Sequence, residues 1–198
     1  LMALVLLKFP NAPKEFRRGI LEPLKEEQMH PRLYLDRMEA CGIDFGEIPL
    51  SGYFWRAVEP VESPMDFVAR LSLTFEQANL DYSRHYAVRF REAGDRETAA
   101  ILDAIYRDEI GHVGHGLTWF RKWKNQSDTD WDAYRKIMHF PLSPARAKAT
   151  HGLFNRAGRR EAGLDSDFID QLVLFRQSRG RMPNVFWFDP AAEEELLG

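Results

Sequence analysis

Leu71-Ser72-Leu73-Thr74-Phe75-Glu76-Gln77 and, further along, Asp108-Glu109-Ile110-Gly111-His112 are the phrases whose reading decides the fold. A lone Glu inside one predicted helix, answered on the next helix by Glu-x-x-His, is how four-helix bundles place metal ligands in their interior. An earlier predicted helix repeats the phrase as Glu27-Gln28-Met29-His30. Positions three apart on a helix lie about 60° from each other, so the Glu and the His of each phrase can enter one cavity. A single Glu-x-x-His is ordinarily a solvated pair. Two of them, with Glu76, all on apolar stripes, point instead to a shared interior.

The stripes follow from spacing. Ala69, Leu73, Glu76, Leu80 and Ser83 recur at three and four along a helix expected from Pro64 to Ala93 and stopped by Gly94. Leu102, Ile105, Glu109, His112 and Gly116 do the same between about Asp95 and Lys124. Glu76 lies 18 residues before Gly94 and Glu109 lies 15 after it, so on antiparallel helices they meet within about one turn, roughly 5 Å along the axis. Ionised carboxylates buried without a counter-charge cost several kcal/mol each or stay protonated, and a metal pair removes that cost. Oxygen ligands with a few imidazoles suit iron or manganese, and the lone, distant Cys41 argues against a thiolate zinc centre.

Upstream, Leu1 to Phe9 reads as the last turns of a helix stopped by Pro10-Asn11-Ala12-Pro13. A helix from about Lys14 to Cys41 follows, with Ile20, Leu24, Glu27, Pro31 and Tyr34 inward. Pro23 and Pro31 should kink or break it. Glu27 lies about 16 residues past the turn near Asn11, so a facing fourth carboxylate is expected about five residues upstream of Leu1. The chain opens without Met in an apolar run that already reads as helical, so the first helix of the bundle is expected to be truncated. A clipped signal or membrane segment would look the same. Leu1 to Leu7 is too short to cross a bilayer, and no membrane partner is expected.

Between the two hairpins, Ile43 to Pro64 is aromatic and turn-rich, with a short helix expected near Tyr53 to Val58. Beyond Lys124 the character changes. Ser127 to Asp130 reads as a capped helix start leading into Trp131, Tyr134, Ile137 and Met138, followed by a basic helix over 145–162, a short helix from Ser166 to Phe175, and an aromatic tail, Asn184 to Pro190. The tail is expected to dock on the bundle or on a second subunit, which leaves a homodimer open. The organisation read from these segments is a helical bundle over 1–124 and a helical extension over 125–198.

The 198 residues carry a formal charge of −3, which implies no global attraction to nucleic acid or anionic membrane. A local excess between Pro144 and Arg181, eight basic residues against four acidic, could receive phosphate or an RNA backbone, although a solvated helix face is the ordinary reading. One cysteine excludes an intramolecular disulfide and fits a reducing, cytoplasmic compartment; Cys41 is expected buried at a helix end. His115 is a candidate outer partner of the site, His85, His139 and His151 show no ligand pattern, and Tyr34 and Tyr106 are candidates to carry electrons or to hydrogen-bond a ligand.

Leu71 to Glu76 with Asn79-Leu80-Asp81, Arg107 to Val113 with Trp119, Phe16-Arg17-Arg18-Gly19, Glu26 to His30, Tyr53-Phe54-Trp55 and Phe186-Trp187-Phe188 together resemble, over nearly the whole chain, the uncharacterised domain-of-unknown-function 455 family of the ferritin-like superfamily. The departure is Pro31, where an apolar helix former is expected. The resemblance implies an all-α, ferritin-like four-helix bundle with Glu27, His30, Glu76, Glu109 and His112 as metal ligands, and a first ligand helix that begins before Leu1. Two iron ions, or manganese or a mixed Mn/Fe pair, are the implied cofactors.

Superfamily relatives include a tRNA-modifying hydroxylase, fatty-acid desaturases, rubrerythrins and ferritins, and choosing among them is analogy. The leading expectation is a dioxygen-activating oxidoreductase acting on an unknown small molecule or RNA, with an electron donor and Glu76 bridging the metals. The alternatives are an iron-handling or peroxide-scavenging protein and a metal-free helical interaction module. A pocket lined by apolar or basic groups and leading to the metals favours the first.

Overall fold

Gly94, at φ +88°, turns the chain between the two longest helical rods. A computed structural model describes residues 1–176 except 48, 50, 51, 59, 140 and 150–152, and every regular element among them is helical. After Gly94, Asp95 caps α7 (Arg96–Trp123), its carboxylate accepting from the Thr98 backbone N–H at 2.9 Å. Before it, the rod is α5 (Pro64–Arg70), a π-helical segment (Leu71–Glu76) and α6 (Gln77–Glu92). Both expected stripes are buried along their full length.

The π segment was not foreseen. Thr74 Oγ1 donates to the Ala69 carbonyl five residues back (2.8 Å) and meets the Tyr134 hydroxyl at 2.7 Å, so the wider turn is tied down by side chains. Facing it, Gly116 of α7 has no Cβ; one placed there would lie 2.2 Å from Ser72 Cβ. The small pair lets α7 close onto the π segment that ends at Glu76.

The helix expected from Lys14 to Cys41 is two: α2 (Lys14–Gly19) and α3 (Leu21–Ala40). The break falls at Ile20, which leaves Pro23 in the first turn of α3, where a missing N–H is harmless. The helix runs on through Pro31, which removes the donor that the Glu27 carbonyl would have used. α3 lies antiparallel to α7, with Arg37 bonded to Asp95, Glu97 and Thr98 near one end and His30 opposite Asp108 in the middle. Only one side of α3 is covered, so the expected inward positions Pro31 and Tyr34 are exposed. Cys41, expected buried, is an exposed free thiol at the C-terminal end of α3.

The remaining elements are α1 (Met2–Lys8), α4 (Tyr53–Val58), α8 (Asp130–Ile137), a 3-10 turn (Pro144–Ala147), α9 (Arg156–Glu161) and α10 (Ser166–Leu174). The continuous basic helix over 145–162 does not form. Buried Asp81 of α6 accepts from the backbone N–H groups of Ala149 (2.9 Å) and Asn155 (2.7 Å) and from both terminal nitrogens of Arg159, and Lys148 and Asn155 are extended rather than helical. Tertiary hydrogen bonds here override the helix preference of Ala, Arg and Lys. His151, Arg179, Arg181 and the aromatic tail lie outside the described residues. Among the described residues no helix is long and apolar enough to cross a membrane.

Candidate metal centre

The three rods deliver their acids to one place. Glu27, from the middle of α3, Glu76, from the end of the π segment, and Glu109 and His112, one turn apart on α7, each present a ligand-type atom, and these four atoms lie within 4.8 Å of one another. His112 Nδ1 is 3.4 Å from Glu27 Oε1, 3.6 Å from Glu109 Oε2 and 4.0 Å from Glu76 Oε1. His30 stands on the far side of Glu27, its Nδ1 3.5 Å from Glu27 Oε1. All five residues singled out in the sequence therefore meet, four of them as a tight set with His30 beside it. Glu76, Glu109, His112 and His30 are buried, while Glu27 keeps 38% of its side chain exposed.

Three outer partners were missed. His112 Nε2 donates to Glu26 Oε2 at 2.7 Å, His30 Nε2 donates to Asp108 Oδ2 at 3.0 Å, and Asn79 Nδ2 donates to Glu109 Oε1 at 2.7 Å. The first two had a signal in the sequence: each Glu-x-x-His is preceded directly by another acid, Glu26 before Glu27 and Asp108 before Glu109. Asn79, three residues beyond Glu76, had none beyond that proximity.

Charge in the cluster is unbalanced, with five carboxyl groups around two imidazoles. Burial, reinforced by the neighbouring Glu109, pushes Glu76 well above the usual carboxylate range, and burial raises Glu109 as well. Burial also opposes ionisation of Glu27, but the His112 and His30 rings beside it outweigh burial and hold Glu27 at about 2. Glu27, helped by Asp108 and working against burial, lifts His30 to about 9. Burial opposes the charged form of His112 too, yet Glu109 and Glu27 carry it to about 11.

Both oxygens of Glu76, Oε2 of Glu109 and Nδ1 of His112 are buried and make no hydrogen bond. Buried polar atoms are normally paired. Here the orphaned atoms, from two carboxylates and an imidazole, belong to the converging set, whose three carboxylates and one imidazole are a donor set that suits iron or manganese. The residues fit a metal.

A trench of about 800 Å³ reaches Glu27, Glu76 and Glu109 from outside. Its walls are largely apolar and aromatic, with Leu24 and Tyr34 on α3, Phe54 on α4 and Tyr82 on α6, and Arg146 and Lys148 also line it. Lys148 Nζ donates to the carbonyls of Leu172, Val173 and Phe175 and so caps α10, and the Arg146 guanidinium lies 5.1 Å from the centre of the Tyr53 ring. Much of the basic excess has structural work: Arg159 is buried on Asp81 and Arg156 pairs with Asp170. Tyr106 meets Asn155 Nδ2, His139 meets Arg70, His115 stacks on Phe16 beneath Gly19, and His85 lies edge-on to Tyr86.

The model of a family described as protein of unknown function (DUF455) matches residues 1–170. An uncharacterized protein of Haemophilus influenzae is 23% identical over 176 residues, which are 85% of this chain and 60% of that protein, so the chain spans about three fifths of this relative's length. No solved structure matches the chain significantly.

Proposed function

The chain belongs to the DUF455 family, and we propose that it is a ferritin-like, carboxylate-bridged two-metal oxidoreductase that uses dioxygen to oxidise an organic substrate. The observation that carries this reading is a wide, largely apolar trench ending on three clustered carboxylates and a histidine. An iron-handling or peroxide-scavenging protein needs no room for an organic molecule beside its metals, so the trench favours the oxidoreductase.

In this reading α3, the α5–α6 rod and α7 are three helices of the four-helix bundle. The trench beside Glu27, Glu76 and Glu109 is the substrate's path. Glu27, Glu76, Glu109, His112 and His30 would hold the metals, Glu76 offering both of its oxygens and the two imidazoles offering Nδ1. The pair, two iron ions or a manganese or mixed equivalent, supplies the redox chemistry with dioxygen when it is bound in reduced form. The protein's own groups fix the geometry, keep the inner carboxylates from water, and hold the substrate's apolar portion against aromatic walls. Reducing equivalents come from an external donor.

Metal analysis of the full-length gene product tests this. About two metals per chain are expected, lost on Glu76→Ala, with dioxygen uptake that an organic substrate stimulates. Many irons per chain, or peroxide consumption without an organic product, would transfer the protein to the alternative reading. Less than about one metal per chain would overturn both.

A further inference from the structure

We infer that Tyr134 and Thr74 are positioning residues: from α8, Tyr134 pins the π segment in place and so sets the rotation at which Glu76 meets α7. The inference rests on the two-metal reading above and gives the chain beyond Lys124 a part in it.

A π turn closes its hydrogen bonds over five residues where an α turn uses four, and it is rare outside single-turn bulges. Leu71–Glu76 is such a turn, and its last residue is the ligand. Three contacts from beyond Lys124 grip the rod around it. Before the turn, Arg70 donates to His139 Nε2 at 2.7 Å while also holding Asp66 and the Ala57 carbonyl. His139 Nδ1 donates to the Ile137 carbonyl, which leaves Nε2 to accept. After the turn, Asp81 is held by Ala149, Asn155 and Arg159. Within it, Thr74 Oγ1 meets the Tyr134 hydroxyl at 2.7 Å.

Thr74 and Tyr134 are fully buried. The Thr74 hydroxyl has one proton, and it goes to the Ala69 carbonyl five residues back, so Tyr134 is the donor in its pair with Thr74. The pair ties a carbonyl just before the wide turn to a ring on α8, and that ring packs on Trp131 and Phe168.

Each residue of an α-helix adds about 100° of rotation and 1.5 Å of rise. Rewinding the segment to α would turn Asp81 by about 100° relative to Arg70, yet both are pinned from beyond Lys124. The extra residue therefore stays between these two grips, and the Thr74–Tyr134 pair decides where. It lies before Glu76. Moved past Glu76 toward Asp81, it would swing the carboxylate by about 100° away from Glu109 and His112.

The test uses the full chain, with NMR of the metal-free protein and zinc as a diamagnetic probe. Wild type should show proton contacts between the Glu76 side chain and the His112 ring, whose Nδ1 lies 4.0 Å from Glu76 Oε1. Thr74→Val keeps the shape and removes the hydroxyl. It should lose those contacts, speed amide exchange over 71–77 but not at Ala149 and Asn155, and weaken zinc binding about 10–100-fold. Tyr134→Phe should act in the same direction and less strongly, and Thr74→Ser, which keeps the hydroxyl, should restore the wild-type pattern. If Thr74→Val keeps both the contacts and the zinc affinity, the positioning role is overturned while the two-metal reading stands. If wild type binds no zinc, the two-metal reading falls, and the Glu76–His112 contacts alone decide: lost in Thr74→Val they support the positioning role, kept they overturn it. If Thr74→Val and Thr74→Ser weaken zinc binding alike, with melting temperature and protection at Ala149 and Asn155 falling together, the pair is only a brace in the core and the inference is wrong.

Discussion

Glu76 and Asp81 are buried carboxylates five residues apart on one rod, and their surroundings are opposite. Asp81 meets the Arg159 guanidinium and two backbone N–H groups, so each of its oxygens accepts two hydrogen bonds and its charge is answered in place. Glu76 has no hydrogen-bond partner on either oxygen and faces two more carboxylates and a histidine. Burial is equally expensive for both acids, so the difference lies in what balances the charge. At Asp81 the protein supplies the cation, and the result is a lock between the bundle and the segment after the 3-10 turn. At Glu76 it leaves a shortage of cations, which the proposed metals would answer.

Breaking the lock gives the largest effect. Asp81→Ala leaves Arg159 buried and unpaired and should cost about 3–5 kcal/mol in urea denaturation. Next is the close approach that sets Glu76 against α7. Gly116→Ala drives a methyl into Ser72 and should cost about 1–3 kcal/mol and weaken metal binding, with Ser72→Gly restoring part of both. Glu76→Gln should behave unlike any change at Asp81: metal-free, the protein should gain stability, by about 1 kcal/mol, while metal uptake is lost. A loss of stability there would remove the contrast between the two acids.

The pH dependence of the metal-free chain sharpens the comparison further. His30 and His112, raised to about 9 and about 11, contribute stability that is complete below the ordinary imidazole value of about 6.5 and is lost as pH rises through their folded values. Glu76 and Glu109 are raised too, so their ionisation costs stability in the same direction as pH climbs above the ordinary carboxylate range. Glu27, held at about 2, works at the acid end: its contribution is present above about 4.5 and is lost as pH falls toward 2. Urea midpoints should therefore decline on the alkaline side, and saturating manganese should flatten that decline. The smallest effect is at Cys41, whose exposed thiol should react fully with a thiol reagent in the native protein without changing metal binding.

The stripes carrying Glu76, Glu109 and His112 were legible because each places an acid or imidazole among apolar residues at a spacing only one helical face can satisfy. The π segment was not, since five of its six residues are buried and a run covered on several sides has no phase to reveal an altered turn. The break at Ile20 was hidden by two prolines that drew attention to the wrong positions. The basic helix failed for a longer-range reason. Asp81, far upstream in sequence, claims backbone donors at Ala149 and Asn155, and no local pattern encodes that demand. Glu26 and Asp108 were visible as doubled acids, but which histidine each would serve depends on how α3 and α7 face one another.

Anomalous diffraction from crystals of the full-length gene product grown with iron or manganese, collected at the metal's absorption edge, tests the central claim most directly. The account predicts two peaks between Glu27, Glu76, Glu109, His112 and His30, the nearest oxygens and nitrogens about 2.0–2.5 Å away. Five well-ordered side chains with no peak among them, or with metal bound only elsewhere on the molecule, would contradict it.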